Sequence, residues 1–344
     1  MLRPKFKITF RKPNGTKVEL GYFTSFEIEE SYEDLTSTAR IIFPRKLTMD
    51  GKSLFAGNNP IFERGDTVVI EGGYLPNSQV LFTGFINKVS ANIPVELECE
   101  DQAFLLKQTK INYPSKVGLI TRSKKGKLLK HPKTIPFKVY LDELLDYMLP
   151  NIEFKAIDNI NLGSFRSINA TPAQVLDKLK SEYGLFSYFI DGVLNVGFAN
   201  DASRTNEEEF EMESVGINSD DLEYRIADQI KLKVVAISMM PDNSKIQVES
   251  GDPDGDTRTL HFYNLNKTDL QKVADKWVKE YKYSGFVGNL ETFGEPYVTH
   301  GDRAKITSKK LPERNGTYLI KAVKRSCSVT GGYRQFINLG VKIA

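Results

Sequence analysis

Gly65-Asp66-Thr67-Val68-Val69-Ile70 (GDTVVI) is echoed near the other end of the chain by Gly301-Asp302-Arg303-Ala304-Lys305-Ile306 (GDRAKI). In both, a Gly-Asp pair with turn chemistry precedes apolar residues at alternate positions, the period of a strand with one buried face. A glycine-led strand pattern follows each: Gly84-Phe85-Ile86-Asn87-Lys88-Val89 in one case, and Gly316-Thr317-Tyr318-Leu319-Ile320-Lys321-Ala322-Val323 in the other. Together the pair predicts two related β-domains in one chain, and such a repeat has to be weighed before any single motif.

Outward from the first copy, Lys5–Phe10, Phe26–Glu29, Ala39–Phe43, Thr67–Glu71 and Val95–Cys99 carry β-branched or aromatic residues at alternating positions. Pro13-Asn14-Gly15 and Gly57-Asn58-Asn59-Pro60 supply turns, because Gly and Asn accept positive φ and Pro fixes its own. Residues 1–110 therefore read as an antiparallel β-domain, a barrel or a sandwich. Around the second copy, Ile230–Ile237, Lys245–Glu249, Thr257–Tyr263, Arg303–Thr307, Thr317–Val323 and Arg334–Leu339 read as strands of a second β-barrel domain, 201–344. It contains one helix, 268–283, which a Thr268-x-x-Gln271 box opens and Gly285 ends. That helix places Leu270, Val273, Ala274, Trp277 and Tyr281 on one face.

Between them the period changes. Residues 111–134 form a basic linker, part of a stretch from Lys107 to Lys138 with ten Lys or Arg and no acidic residue. Residues 135–200 read as α+β. Tyr140–Leu149 has helical spacing and is stopped by Pro150. Thr171-Pro172 with Gln174 forms a capping box for a second helix that ends at Gly184. Asp191-Gly192 joins Phe186–Ile190 to Val193–Val196 as a type I′ hairpin. The fold class is α+β, mostly β: two related antiparallel β-barrel domains with an α+β segment between them.

Hydrophobic residues at 40% and charged residues at 26% fit a chain with an ordinary folded core. A net charge of +3 does not by itself imply nucleic acid, but charge is uneven, since Glu207 to Glu223 holds eight acidic residues and no basic one. The basic stretch is readable as a solvated loop, as an intersubunit contact with that acidic segment, or as a grip on phosphates. The N-terminus MLRPKFKITF lacks the apolar core of a signal peptide and no stretch approaches a membrane span, so synthesis in the cytoplasm is expected.

Chemistry-bearing motifs are scarce. Cys99 and Cys327 read as buried free thiols. His131, His261 and His300 lack metal spacing, and His131 and His300 read as solvated. Neither Gly-x-Ser-x-Gly nor a phosphate-binding glycine loop is present. Asp252-Pro253-Asp254-Gly255-Asp256 has alternating carboxylates, but a calcium loop counted from Asp252 wants Gly and Glu where Thr257 and Tyr263 stand. It reads as a hairpin turn between Lys245–Glu249 and Thr257–Tyr263. No catalytic, cofactor or metal residue is assigned, and no enzyme is expected. A pair of carboxylates for sugar hydrolysis is distinguishable only by geometry.

Phe26 to Pro44 (FEIEESYEDLTSTARIIFP), Phe62 to Tyr74 (FERGDTVVIEGGY), Leu81 to Val89 (LFTGFINKV), Leu97 to Leu106 (LECEDQAFLL), Asn169 to Gly197 (NATPAQVLDKLKSEYGLFSYFIDGVLNVG) and Gly301 to Val323 share order and spacing with a known family. Together they resemble the baseplate hub proteins of contractile-tailed phages, the late control protein D family, and the N-terminal part of type VI secretion spike (VgrG) proteins. The resemblance implies two β-barrel tube domains joined by α+β segments, and a homotrimer around an axial channel. Its pseudo-six-fold ring would join a six-fold tail tube to a three-fold spike. It implies as partners further copies of the chain, the tail tube protein, a spike protein and other baseplate proteins. Nucleic acid enters only as cargo of the channel, and no membrane is involved. Secretion spikes usually continue into a β-helix, whereas this sequence ends at Ala344, so a separate spike subunit is expected. Phage, prophage remnant and secretion device all remain open, with assembly in a bacterial host. The alternative is a β-rich carbohydrate- or protein-binding module, for which 15 Tyr and 21 Phe supply material. Binding residues stay unassigned, because a one-residue slip of register exchanges lumen and exterior.

Overall fold

The computed structural model describes residues 4–44, 48–49, 52–53, 61–76, 78–90, 94–113, 120–122, 128–130, 139–156, 162, 165–197, 204–214, 216–240 and 244–343. The chain is α+β and mostly β, with large antiparallel sheets. It divides into two compact units, 1–104 with 200–226 and 284–344, and 105–199 with 227–283. The helix expected within the second β-domain is thus grouped with the α+β segment.

The first unit contains one six-strand module twice. The first copy is β1 (Pro4–Arg11), β2 (Ser25–Ser31), β3 (Thr38–Phe43), β4 (Thr67–Tyr74), β5 (Gln79–Val89) and β6 (Val95–Glu100). The second is β7 (Glu207–Glu211), β8 (Leu222–Arg225), β9 (Gly285–Phe293), β10 (Arg303–Thr307), β11 (Gly316–Ser328) and β12 (Gly332–Lys342). Hydrogen-bonded neighbours run β2-β3-β6-β5-β4-β1 in one and β8-β9-β12-β11-β10-β7 in the other, the same order. Within the modules all pairs are antiparallel except β7 with β10, which is parallel.

The Gly-Asp echo matches bond for bond. Gly65 N–H donates to Ile86 O (2.8 Å) and Ile86 N–H to Asp66 O (2.9 Å); Gly301 and Ile320 exchange the same pair with Asp302, both at 2.8 Å. Both glycines have positive φ, 95° and 86°, which a residue with a Cβ rarely adopts. Both buried aspartates accept from the amide three residues earlier, Asp66 from Glu63 (3.0 Å) and Asp302 from Thr299 (2.9 Å). A bulge follows Ile86 on β5 and Ile320 on β11. The glycine-led strand alignment, however, is displaced by two residues. Val68 faces Gly84 while its counterpart Ala304 faces Tyr318, so Gly84 corresponds to Tyr318 and not to Gly316. The reason is local: a Cβ on Gly84 would lie 2.2 Å from Glu100 O, a close approach that has no bearing on where β11 begins.

The modules fuse through β11. One edge pairs with β12 throughout, while the other pairs with β10 up to Leu319 and with β2 from Ala322 to Ser328. A single 13-stranded sheet results, with the short strand Lys17–Leu20 at its end beyond β1. Alternation sends Ile8, Phe26, Ile28, Ile41, Phe43, Ile70, Ile86 and Leu97 into the core, all nearly inaccessible.

The second unit follows its local signals closely, with three corrections. Helix α1 (Leu141–Met148) buries Leu141, Leu144, Leu145 and Met148. Helix α2 (Pro172–Tyr183) has the expected capping box, Thr171 Oγ1 accepting from Gln174 N–H (3.3 Å) and Gln174 Oε1 from Thr171 N–H (2.9 Å), and ends at Gly184 with φ 67°. Asp191 and Gly192 both take positive φ, 50° and 83°, as a type I′ hairpin requires. Helix α3 (Lys267–Tyr281) is capped by Asn266, which accepts from Asp269 N–H (2.9 Å), and not by Thr268. Gln271 instead turns to Glu249 O (3.2 Å) and Asp275 (2.9 Å), because asparagine two residues upstream already supplies the better cap. Leu270 and Ala274 are buried as expected, but Tyr281 is 48% exposed. Lastly, Lys245–Gly251 and Asp256–Tyr263 do not form a hairpin. They flank Leu232–Met239, the first antiparallel to it and the second parallel. The Gly57–Pro60 turn and most of Lys107–Lys138, with His131, lie outside the described residues.

Candidate assembly surface

The sheet face opposite the core is built of charge in register. Arg334, Ser326, Glu27, Arg40, Glu98 and Lys88 are successive cross-strand neighbours on β12, β11, β2, β3, β6 and β5. From Arg334 the charged members alternate in sign. Arg40 grips Glu96 with two bonds (2.6 and 2.7 Å) and holds its carboxyl below the ordinary range. Lys88 pairs with Glu98 (2.7 Å), and Lys324 sits between Glu27 (2.8 Å) and Glu29 (2.9 Å). Each exposed cross-strand pair contributes little to stability, because water and salt screen it. Their larger effect is on register, and together they make a hydrated wall whose charges largely cancel.

Where β2 and β10 diverge along β11, a charged cluster is buried. Val323, Arg325 and Cys327 share the inward phase of β11, and Ile28, Glu30 and Tyr32 that of β2 and its continuation. Arg325, with 0% exposure, donates to Glu30 (2.8 Å) and to Val298 O, and its guanidinium lies 4.4 Å from the Tyr297 ring centre. Thr299 Oγ1 also donates to Glu30, and His300 Nδ1 is 4.0 Å away. Burial favours the neutral carboxyl, yet Arg325, His300 and these hydrogen bonds hold Glu30 below its ordinary value. His300, read from sequence as solvated, is 3% exposed, because its turn is covered where the two modules meet. Sequence reasoning passed over Arg325 and Glu30; the readable signal was a charge in the apolar phase of a strand.

The acidic segment finds partners within its own module. Glu209 pairs with Lys305 (3.2 Å) and Glu211 with Lys309. Glu213 accepts from Ser308 Oγ (2.6 Å) and from the Lys309 and Lys310 amides (3.2 and 3.3 Å). Those bonds, led by the Ser308 hydroxyl, push its pKa down to about 2 from 4.5. A depressed folded pKa contributes stability above the unfolded value that is lost as pH falls through the folded one. The thermal midpoint is therefore expected to drop as pH falls from about 4.5 towards 2, and to drop less in Glu213→Gln. Equal acid sensitivity in the variant would refute that role for Glu213.

The other sequence candidates are not brought together. His261 is exposed on Asp256–Tyr263. Asp252 is occupied by Lys282, both oxygens at 2.7 Å, and accepts from Leu232 N–H (3.1 Å). No cluster among the described residues could hold a metal ion, and no described helix is long and apolar enough to cross a membrane. Cys99 and Cys327 are free and buried.

No protein-family model matches the sequence, and no curated protein matches it. Solved structures do match. The tail protein from Neisseria meningitidis MC58 aligns over 97% of this chain and 96% of its own, with a TM-score of 0.62 and 16% identity. The chain has the tail-protein fold. A 43 kDa tail protein of prophage MuSo2 from Shewanella oneidensis covers 97% of both chains at TM-score 0.57 and 12% identity. The tail-protein fold extends to the c3393 protein of E. coli, a component of the type VI secretion system, which aligns over 94% of this chain and 76% of its own at TM-score 0.50 and 10% identity. The expected likeness to phage tail and secretion spike proteins is thus present at the level of fold.

Proposed function

We propose that this protein is a structural hub subunit of a phage tail or related contractile injection machine, made in the bacterial cytoplasm and without enzymatic activity. Three copies form a ring around a channel and join a six-fold tail tube to a three-fold spike. The observation that carries this reading is the duplicated six-strand module inside one sheet, in a chain with the tail-protein fold. Three chains then present six similar modules towards the tube while keeping three-fold symmetry towards the spike. The tail tube protein, a spike protein and other baseplate proteins are the partners proposed. Light scattering behind a sizing column is expected to give about 117 kDa, three times the chain mass of 38.9 kDa. A single-chain mass at every concentration would overturn the reading. A glycan-binding alternative has one observation behind it, the stacked Trp277–Tyr281 pair on α3 with ring centres 4.7 Å apart. Binding on a glycan array that Tyr281→Ala abolishes would favour it.

A further inference from the structure

The two modules close their edges differently. In the first, β2 is closed by β11 at the internal seam of the sheet, and β1 by Lys17–Leu20, which sets Leu20 opposite Ile8, Glu19 opposite Thr9, Val18 opposite Phe10 and Lys17 opposite Arg11. A tight turn delivers that strand: Lys12 N–H donates to Thr16 O and Gly15 N–H to Lys12 O, both at 2.9 Å. In the second module, among the described residues, β7 pairs with β10 alone.

The phase of the β7 ladder fixes which backbone groups are left over. Arg303 N–H donates to Asn206 O (2.9 Å) and Met212 N–H to Thr307 O (2.8 Å), so in this parallel pair the even-numbered residues of β7 turn their backbone groups towards β10. Those of Glu207, Glu209 and Glu211 turn the other way. Glu211 O accepts from Ser214 N–H (2.9 Å); among the described residues nothing bonds the three outward N–H groups or the other two carbonyls. A bare strand edge of this kind needs a partner or protection.

Beside the edge lies a cleft of about 370 Å³ with Ile217, Phe293 and Pro296 as partly exposed apolar walls and Glu209, Glu211 and Glu295 as its carboxylates. Through the equivalence of Val68 with Ala304 and of Ile70 with Ile306, Phe210 matches Ile8 and Glu208 matches Phe10. By the same count Glu211 and Glu207 stand where the first module has Lys7 and Arg11, so the charge of the edge is inverted. Lys305 and Lys309 answer Glu209 and Glu211, and Arg303 is beside Glu207 in register, but Glu208 and Glu295 form no ion pair among the described residues. The edge and its cleft keep a surplus of negative charge.

We propose that the β7 edge takes up an extended basic segment of a different protein as an added antiparallel strand. Backbone bonds to Glu207, Glu209 and Glu211 hold it as Lys17–Leu20 is held on β1. An apolar residue opposite Phe210 enters the cleft, in the way that Leu20 stands opposite Ile8, and a Lys or Arg two positions further on meets Glu208. Binding at this edge needs one chain only, so it holds whatever number of copies assembles.

The probe is an end-blocked octapeptide, Thr-Val-Thr-Leu-Thr-Lys-Thr-Arg, titrated calorimetrically into the full chain at low salt, with a control peptide carrying Glu in place of Lys and Arg. The basic peptide is expected to bind one site per chain at least tenfold more tightly than the control, to weaken as salt is added, and to slow hydrogen exchange at the Glu207, Glu209 and Glu211 amides. Glu209→Pro removes an outward donor and leaves the ladder to β10 intact, so it is expected to abolish binding while keeping the circular dichroism of the native chain. Glu208→Lys is expected to reverse the preference towards the acidic control, a readout that stands even where the proline variant fails to fold. Equal binding of the two peptides, binding of neither, or a preference that Glu208→Lys leaves unchanged overturns the proposal. Slow exchange at the three amides in the chain alone would overturn it as well: unchanged on dilution, it would show a segment of the same chain on the edge, and lost on dilution, a second copy.

Discussion

Replacing Arg325 with methionine is expected to lower the free energy of unfolding by about 3–5 kcal/mol, because it strands the Glu30 carboxylate away from water. Arg325 is fully buried and Glu30 nearly so, and among the described residues Thr299 Oγ1 and the more distant His300 ring remain beside the carboxylate. The lost donor to Val298 O adds to the deficit. The change should appear as a lower urea midpoint at an unchanged slope. Removing both charges, as Arg325→Met/Glu30→Met, should recover most of the loss, since a buried ion pair is often replaceable by apolar side chains of similar volume. A single variant that loses less than about 1 kcal/mol would show that the cluster is hydrated and that its burial is not what holds the modules together.

Phe26→Ala is expected to cost about 3–5 kcal/mol, the range for removing a ring from a packed core. Phe26 is 1% exposed and touches rings from both modules: Phe6 (5.1 Å between centres), Phe23 (5.2 Å) and, from β12, Tyr333 (6.5 Å). It also stands opposite Cys327 across the internal seam. Truncation leaves a cavity that neither module can close by itself, so both should unfold together, in a single transition seen by fluorescence and by circular dichroism. Phe26→Leu, which keeps most of the volume, should lose less. Two separated transitions would mean that the modules are independently stable and that the shared sheet couples them weakly.

Local chemistry was legible in the sequence wherever the deciding partner lay within a few residues. Thr171 and Gln174 cap one another across three positions, and Gly184 needs only its own backbone to end the helix. Asp191-Gly192 sets its hairpin in the same way. The Gly-Asp echo was legible because each turn depends on a positive φ and on a carboxylate reaching back three residues. The cap of α3 was misassigned because two candidates, Asn266 and Thr268, stood close together, and the sheet behind Gln271 offered that side chain other partners.

The sequence by itself thus determined the duplication, the strand-rich class and most turns and caps, all of which rest on short-range geometry. Tertiary structure decided what pairs with what. The two-residue offset between the repeats, the crossing of Asp252–Asp256 past Leu232, the burial of His300 and the inward turn of Arg325 towards Glu30 each depend on a strand far away in the chain. A strand's periodicity states which of its residues face one way. Its neighbour is chosen by the backbone hydrogen bonds and apolar area that the assembled sheet satisfies, and those do not exist until the distant strands meet.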